Sequence, residues 1–311
     1  MSRILVTGGG GYIGSVLVPD LLDAGHEVHV IDSFMYHENS LALSMRNPNL
    51  QVDVFDIREQ ERMAEAVSAA DVIVPLAAIV GAPACARDKV GAESINLHAP
   101  LSLFKLIRDD QQIIMPTTNS AYGTTAAGEV CTEESDLNPI SLYAKHKVEV
   151  EEELFKLAGF TSFRLATVFG MSPRMRLDLL VNDLTNRALI DRSVVLFEAD
   201  FIRNYVHVRD VSSAINWAIT NPDLVKGQIF NVGLTEANLS KRQLCEAIQR
   251  HVPGFAYTEA ATGRDPDQRN YTVSNEKIES AGFVFSVGLD AGLAELVKGL
   301  PTLLTRRYTN L

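Results

Sequence analysis

The chain has 311 residues, 46% of them hydrophobic, which excludes a disordered chain or one small core and suits two coupled domains or one large α/β domain with an appended lobe. Lys and Arg total 28 against 39 Asp and Glu, a net charge of −11, which excludes a non-specific nucleic-acid binder but leaves anionic small ligands open to a few local arginines. Cys85, Cys131 and Cys245 lie far apart, lack metal-ligand spacing and read as reduced thiols of a cytoplasmic protein. The first apolar run is too short for a signal peptide or a span, and no later segment has eighteen uninterrupted apolar residues, so no membrane partner is expected.

The first half of the chain alternates. Short runs rich in Val and Ile at 3–7, 27–32, 51–56, 71–77, 112–117 and 161–166 read as buried strands. Helical patterns at 13–25, 58–68, about 88–108 and 141–158 separate them. This predicts right-handed βαβ units and a Rossmann-type, doubly wound parallel sheet covered on both faces. After about residue 170 the pattern loosens into a smaller lobe. The expected division is a dinucleotide-binding domain over 1–170, with 204–234 returning to it, and a substrate-binding lobe from 171–203 and 235–311.

"VTGGGGYIG" follows the first strand and opens the first helix, and Gly8, Gly11 and Gly14 fit G-x-x-G-x-x-G. Such a loop makes a tight turn, lets the backbone approach a pyrophosphate and aims free helix N–H groups at the anion. A glycine-rich turn without a ligand is the alternative. Asp32 ends the second strand, where a carboxylate accepts hydrogen bonds from the adenosine ribose and repels a 2′-phosphate, favouring NAD over NADP; a strand-end turn residue is the other reading. Asp56 fits a helix cap or an adenine contact.

In "LYAKHKVEVEEELFKLAG", Tyr143 and Lys147 are four apart and share a helix face. Tyr143 is the only one of the eight tyrosines with Lys at the fourth following position. A neighbouring ammonium stabilises a phenolate, so the pair is expected to lower the tyrosine pKa and act as a general acid/base on a hydroxyl while hydride moves on carbon. A surface tyrosine beside a solvated lysine is the plain alternative. "MPTTNSAYG" at 115–123 crowds hydroxyls at the carboxyl end of a strand, where α/β ligands bind.

These stretches, with "DVFDIRE" at 53–59, "PLAA" at 75–78, "SINLHAP" around Asn96, "FRLATVFG" at 163–170 and "RNYVHVRDV" at 203–211, run in order along nearly the whole chain. As a set they resemble the extended short-chain dehydrogenase/reductase family, in its nucleotide-sugar epimerase and dehydratase branch. The resemblance implies NAD as cofactor and a nucleotide-diphosphate sugar as substrate. It implies Tyr143 and Lys147 as the acid/base pair, Lys147 also holding the nicotinamide ribose, and Thr118 as the hydroxyl on the reacting sugar oxygen. Tyr12, Ile13, Ser33, Ile57, Leu76, Ala77, Ala78, Asn96 and Val168 are expected around the cofactor. Asn119, Ser120, Thr167, Arg176 and Asn182 are expected around the substrate, with Arg174 a further candidate. Arg203 matches the arginine on the diphosphate, and Arg264 or Arg269 would be the second clamp. Singly, each arginine also reads as a solvated surface residue. His207 and Asp210 read as turn and cap residues. A homodimer through a four-helix bundle is implied, using apolar faces such as Leu97, Leu101, Leu103, Val148, Leu154 and Leu157, which packing on the sheet would equally use.

Two departures narrow the chemistry. Pro75 stands where the family usually has His, which puts contacts at that strand end in doubt. Asn119 and Ser120 stand where sugar 4,6-dehydratases carry an Asp-Glu pair; Asn cannot protonate a leaving group, and serine is a weak base without an activating partner. The decarboxylase branch usually keeps a Glu in the same loop. The expectation is therefore an NAD-dependent nucleotide-sugar epimerase, acting at C4 through a transient 4-keto sugar, with a net ketoreductase or dehydrogenase as alternative and a 4,6-dehydratase or a non-catalytic NAD-binding regulator as the less favoured readings.

Overall fold

The computed structural model describes residues 1–126, 128–260 and 269–303. Seven parallel strands form the central sheet: β1 (Arg3–Thr7), β2 (Glu27–Asp32), β3 (Leu50–Val54), β4 (Val72–Pro75), β5 (Gln112–Thr118), β6 (Phe160–Leu165) and β7 (Gln228–Val232). Their order is β7-β6-β5-β4-β1-β2-β3. Period-two alternation divides the core between the two faces. Ile4 and Val6 of β1 pack with Leu17, Val18 and Leu21 of α1 (Gly14–Asp23), while Leu5 packs with Met63 and Val67 of α2 (Gln60–Ala69) on the other face. β1, flanked by β2 and β4, is where strand order reverses, so a crevice opens at its carboxyl end beside that of β4.

The helix expected over about 88–108 runs from Lys89 to Phe104 with a π-turn at Ser94–His98 inside it, and a separate short helix, Ala82–Arg87, precedes it. Pro100 has no N–H to donate to a carbonyl in the preceding turn, which removes one rung of the ladder there. The helix expected over 141–158 is α3 (Leu142–Leu154), started by Ser141, whose Oγ accepts from Ala144 N–H at 3.2 Å. α4 (Val208–Thr220) packs against α1 before the chain returns to the sheet as β7.

The remaining segments make smaller units. Strands Thr167–Phe169, Ile202–His207 and Asn238–Ser240 form one sheet, and Ser193–Leu196 pairs with Ala256–Glu259. Helices Leu180–Ile190, Lys241–His251 and Leu289–Gly299 surround them. Among the described residues no helix is long and apolar enough to cross a membrane. The three thiols are free and buried.

The faces offered to a helical dimer are largely internal. Leu97 and Leu154 lie in a core cluster with Ile113 and Met115, Leu101 and Leu157 pack against it, and Leu103 joins the α2 cluster. The exposed side of α3 carries Lys145, Glu149, Glu152 and Glu153 instead.

Candidate active site

The glycine loop is built by exclusion of side chains. Gly8 sits at φ +72°, and a Cβ there would come within 2.5 Å of Ala77 N. A Cβ on Gly14 would meet Gly9 Cα at 2.5 Å. Both close approaches are backbone against backbone, so only glycine fits. The turn feeds α1, whose N-terminal dipole favours an anion, while the Ser15 and Val16 N–H groups are already taken by Gly11 O at 2.9 Å and Ile13 O at 3.1 Å.

A groove at this end is lined by Gly8, Gly11, Asp32, Ser33, Asp56, Ile57, Leu76, Ala77 and Ala78, which brings nine of the expected cofactor residues to one place. Asp32 Oδ2 accepts from Gly10 N–H at 2.9 Å and Oδ1 from Phe34 N–H at 2.8 Å, so its carboxylate is held in a fixed orientation with lone pairs remaining. The Arg58 guanidinium beside Asp56 keeps that carboxyl below its usual range, at 2.6 Å. These features fit a dinucleotide. A different cleft of about 280 Å³ opens at the amino ends of β1–β3, among Arg3, Glu27 and His29, and contains none of the acid–base residues.

Several residues expected on ligands are structural ties. The Tyr12 hydroxyl donates to Gly170 O at 2.7 Å and accepts from Asn182 Nδ2 at 3.2 Å. Asn182 is fully buried, accepts from Gly170 N–H at 3.1 Å and donates to Arg176 O at 2.9 Å; its amide holds loops rather than facing a sugar. Asn96 clamps the Ile79 backbone, accepting its N–H and donating to its carbonyl at 2.8 Å each. Ile13 packs on the core, Val168 is buried in it, and Thr167 lies half-buried on the same strand. Arg203 is buried beside its own strand, with Nη1 3.4 Å from Ile202 O. His207 caps α4, its Nδ1 accepting from Arg209 N–H at 3.2 Å. Asp210 anchors Ser286 and Val287 through their N–H groups at 2.8 and 3.1 Å.

At the end of β5, Thr118 starts a 3-10 turn, Asn119–Tyr122. Its Oγ1 accepts from Ser120 N–H at 3.1 Å and donates to Ser120 Oγ at 3.0 Å. Arg269 Nη1 donates to the same Ser120 Oγ, which places this arginine at the hydroxyl loop. Asn119 is fully buried, its amide unpartnered among the described residues. Arg264 lies outside the described residues.

Lys147 and Tyr143 share one face of α3, and Lys147 Nζ donates to Pro116 O at 3.1 Å. Burial pushes the Lys147 ammonium down to about 8 and the Tyr143 phenol up to about 12. The cations that favour the Tyr143 phenolate are Arg176 first, then Arg269, while Cys85 opposes them. Sequence points to lysine for that role; among the protein's own groups the two guanidiniums fill it. The Arg176 guanidinium is ion-paired with Asp178 and reaches Val80 O at 3.4 Å.

Glu151, one further turn along the same face, is not among the residues expected from sequence. It is buried against Arg164, with Arg164 Nη2 at 2.7 Å from Oε2. Oε1 accepts from Thr117 Oγ1 at 2.9 Å and Ser162 Oγ at 2.5 Å. Arg164 Nη1 donates to Tyr122 OH at 3.1 Å, which donates to Asn231 Oδ1 at 2.7 Å. Pro116 and Thr117 thus receive Lys147 and Glu151 in turn, and this fixes the register of α3 against the strand that presents Thr118. The signal available in sequence is the four-residue spacing of Tyr143, Lys147 and Glu151, which puts a carboxylate on a face that must be buried.

The pattern of the NAD dependent epimerase/dehydratase family matches residues 4–233, from β1 to the end of β7. The chain belongs to this family. NAD is therefore the cofactor. The chain is 26% identical to the low-salt glycan biosynthesis protein Agl12 of Haloferax volcanii over 93% of its own length and 96% of that protein. It is 26% identical to a putative UDP-glucose 4-epimerase of Methanocaldococcus jannaschii, covering 94% and 97% of the two chains. The crystal structure of Thermus thermophilus UDP-glucose 4-epimerase in complex with NAD superposes with a TM-score of 0.82 at 26% identity, over 95% of this chain and 98% of that one.

Proposed function

We propose that this family member is a nucleotide-sugar epimerase that inverts a hydroxyl-bearing carbon, C4 of the sugar, through a transient 4-keto sugar. The observation that carries the reading is the hydroxyl loop. Thr118 and Ser120 are linked to Tyr143 through Arg269, which donates to Ser120 Oγ and favours the Tyr143 phenolate, and the loop offers Asn119 and Ser120 where elimination of water needs a carboxyl acid and a carboxylate base. When bound, NAD supplies a hydride acceptor that is restored at the end of the cycle. Tyr143 holds or releases the proton of the reacting hydroxyl, Thr118 orients that oxygen, and Lys147 holds the nicotinamide ribose. Arg176 and Arg269 favour the phenolate and supply positive charge to the sugar's anionic tether. Asp32, with both oxygens committed to backbone N–H groups, favours NAD over its 2′-phosphorylated form.

The test is incubation with UDP-, GDP-, CDP-, ADP- and dTDP-sugars without added cofactor, followed by NMR of the sugar. The expected outcome is inversion at one carbon with no net change in NADH. Stoichiometric NADH formation or consumption would establish the ketoreductase alternative, and loss of water would establish a dehydratase.

A further inference from the structure

We propose that Arg174, on the loop entering the C-terminal lobe, is a cofactor-binding residue: its guanidinium pairs with the dinucleotide pyrophosphate above the glycine loop, and Tyr36 and Glu38 clasp it there. The proposal rests on the NAD site alone and is independent of which sugar reaction follows.

Charge is the first argument. Asp32, Glu38 and Asp56 line the groove, and Arg174 is the one cation among its described lining residues. Arg58 answers Asp56 at 2.6 Å, which leaves two carboxylates facing a doubly anionic ligand. The N-terminus of α1 contributes only about half a positive charge. A guanidinium in the same groove supplies the missing countercharge, in a fork that matches phosphate oxygens.

Geometry is the second. The Arg174 N–H donates to Ser15 Oγ in the first turn of α1, at 3.3 Å. Ser15 Oγ is 2.9 Å from Ser172 Oγ, which donates to Tyr12 O at 2.7 Å. The loop is therefore stitched to the start of the helix that receives the pyrophosphate. The Arg174 side chain is 13% exposed, with Nε 3.9 Å from Glu38 Oε2. Its Cζ lies 4.1 Å from the centre of the Tyr36 ring. Among the described residues its guanidinium makes one long hydrogen bond, Nη1 to Met175 O at 3.5 Å, and Nε has none although buried. A desolvated guanidinium has five donors to satisfy, and a phosphate in the groove satisfies them. The contact also joins the second strand's loop, through Tyr36 and Glu38, to the C-terminal lobe, so cofactor release requires the clasp to part.

The experiment is titration of the full chain with NADH, followed by the fluorescence of the single tryptophan, Trp217, and of NADH itself, with release measured by chase with excess NAD. Arg174→Met is expected to weaken NADH by about 10- to 100-fold, mainly through faster release. ADP should weaken alike and adenosine should not change. Tyr36→Leu, which frees the guanidinium without removing it, should speed release by about 3- to 10-fold. Unchanged NADH affinity in a folded Arg174→Met protein would overturn the proposal. So would equal weakening of ADP and adenosine, since the arginine would then serve the adenosine end. If Arg174→Met does not fold, Arg174→Gln keeps a polar hydrogen-bond donor on a shorter side chain without charge, and wild-type NADH affinity and release in that variant would be equally decisive against it.

Discussion

The cofactor half and the C-terminal lobe handle their ligands in different ways. In the cofactor half the backbone sets the shape: Gly8 and Gly14 are required because any side chain would strike Ala77 or Gly9. In the later segments the proposed site rests on side chains on loops, with Arg174 at the glycine loop, Arg176 near Tyr143 and Arg269 at Ser120. A backbone site restricts which residues its sequence can contain. A side-chain site places a common residue correctly in space, and its sequence looks like any surface. The comparison can be broken at either end, and α3, which lies between the two regions, gives the largest expected effects.

Tyr143→Phe removes the acid/base hydroxyl and keeps the ring. If this residue moves the proton, turnover should fall by about 10²- to 10⁴-fold, while NADH affinity measured by fluorescence stays within about twofold. Unchanged turnover would turn the site into an NAD-binding module without this chemistry.

Glu151→Gln tests the stitching of α3 to β5. It leaves Arg164 as an unpaired charge, 3% exposed, and should destabilise the chain by about 3–5 kcal/mol in urea unfolding. Glu151→Gln with Arg164→Met removes both charges and should regain much of that stability. Turnover should stay low in the double variant if the ion pair sets the distance between Tyr143 and Thr118. Full recovery of turnover together with stability would make the pair structural only.

How much of this is legible in the sequence follows the same division. The parallel sheet, the glycine loop, Asp32 and the Tyr143–Lys147 face are readable because periodicity and the absence of a Cβ leave marks in sequence. The π-turn at Ser94–His98 is not, since Pro100 reads equally as a first-turn residue of a new helix. Asn96 reads as a structural or cofactor contact, and Asn182 and Tyr12 as ligand contacts; all three side chains tie loops together, because an amide or phenol that satisfies a buried carbonyl looks in sequence like one facing a substrate. Arg174 reads toward the substrate and lines the cofactor groove, a distinction that depends on where a loop crosses the sheet.

Lys147 gives a pH signature of the folded state. Burial holds its folded pKa at about 8, below the ordinary 10.5, so between those values the unfolded chain binds more protons than the folded one. Stability should therefore rise with pH across that window from this group, by on the order of 3 kcal/mol in all. Urea midpoints from pH 7.5 to 10 should show the rise in the wild type and lose it in Lys147→Met. A rise of equal size in both proteins would assign it to other groups.

Arg176→Met probes the smallest and most local effect, the electrostatic reach of the lobe into the Tyr143 site. Arg176 is the leading cation that lowers the Tyr143 pKa against burial, which otherwise holds it up at about 12. Removing it should raise that pKa further and leave Asp178 without its partner, adding in the same direction. At neutral pH less phenolate is available, so kcat/KM should fall in proportion to the phenolate lost, by about 3- to 10-fold, and recover on the alkaline side. Arg176→Lys keeps the charge and should retain most of the profile. The shape of the curve decides between two roles for the lobe. A displaced alkaline limb means that Arg176 tunes the tyrosine from across the cleft. A uniform loss at every pH, carried by KM, means that it holds the substrate's own anionic group, and the lobe's contribution to chemistry is then positional alone.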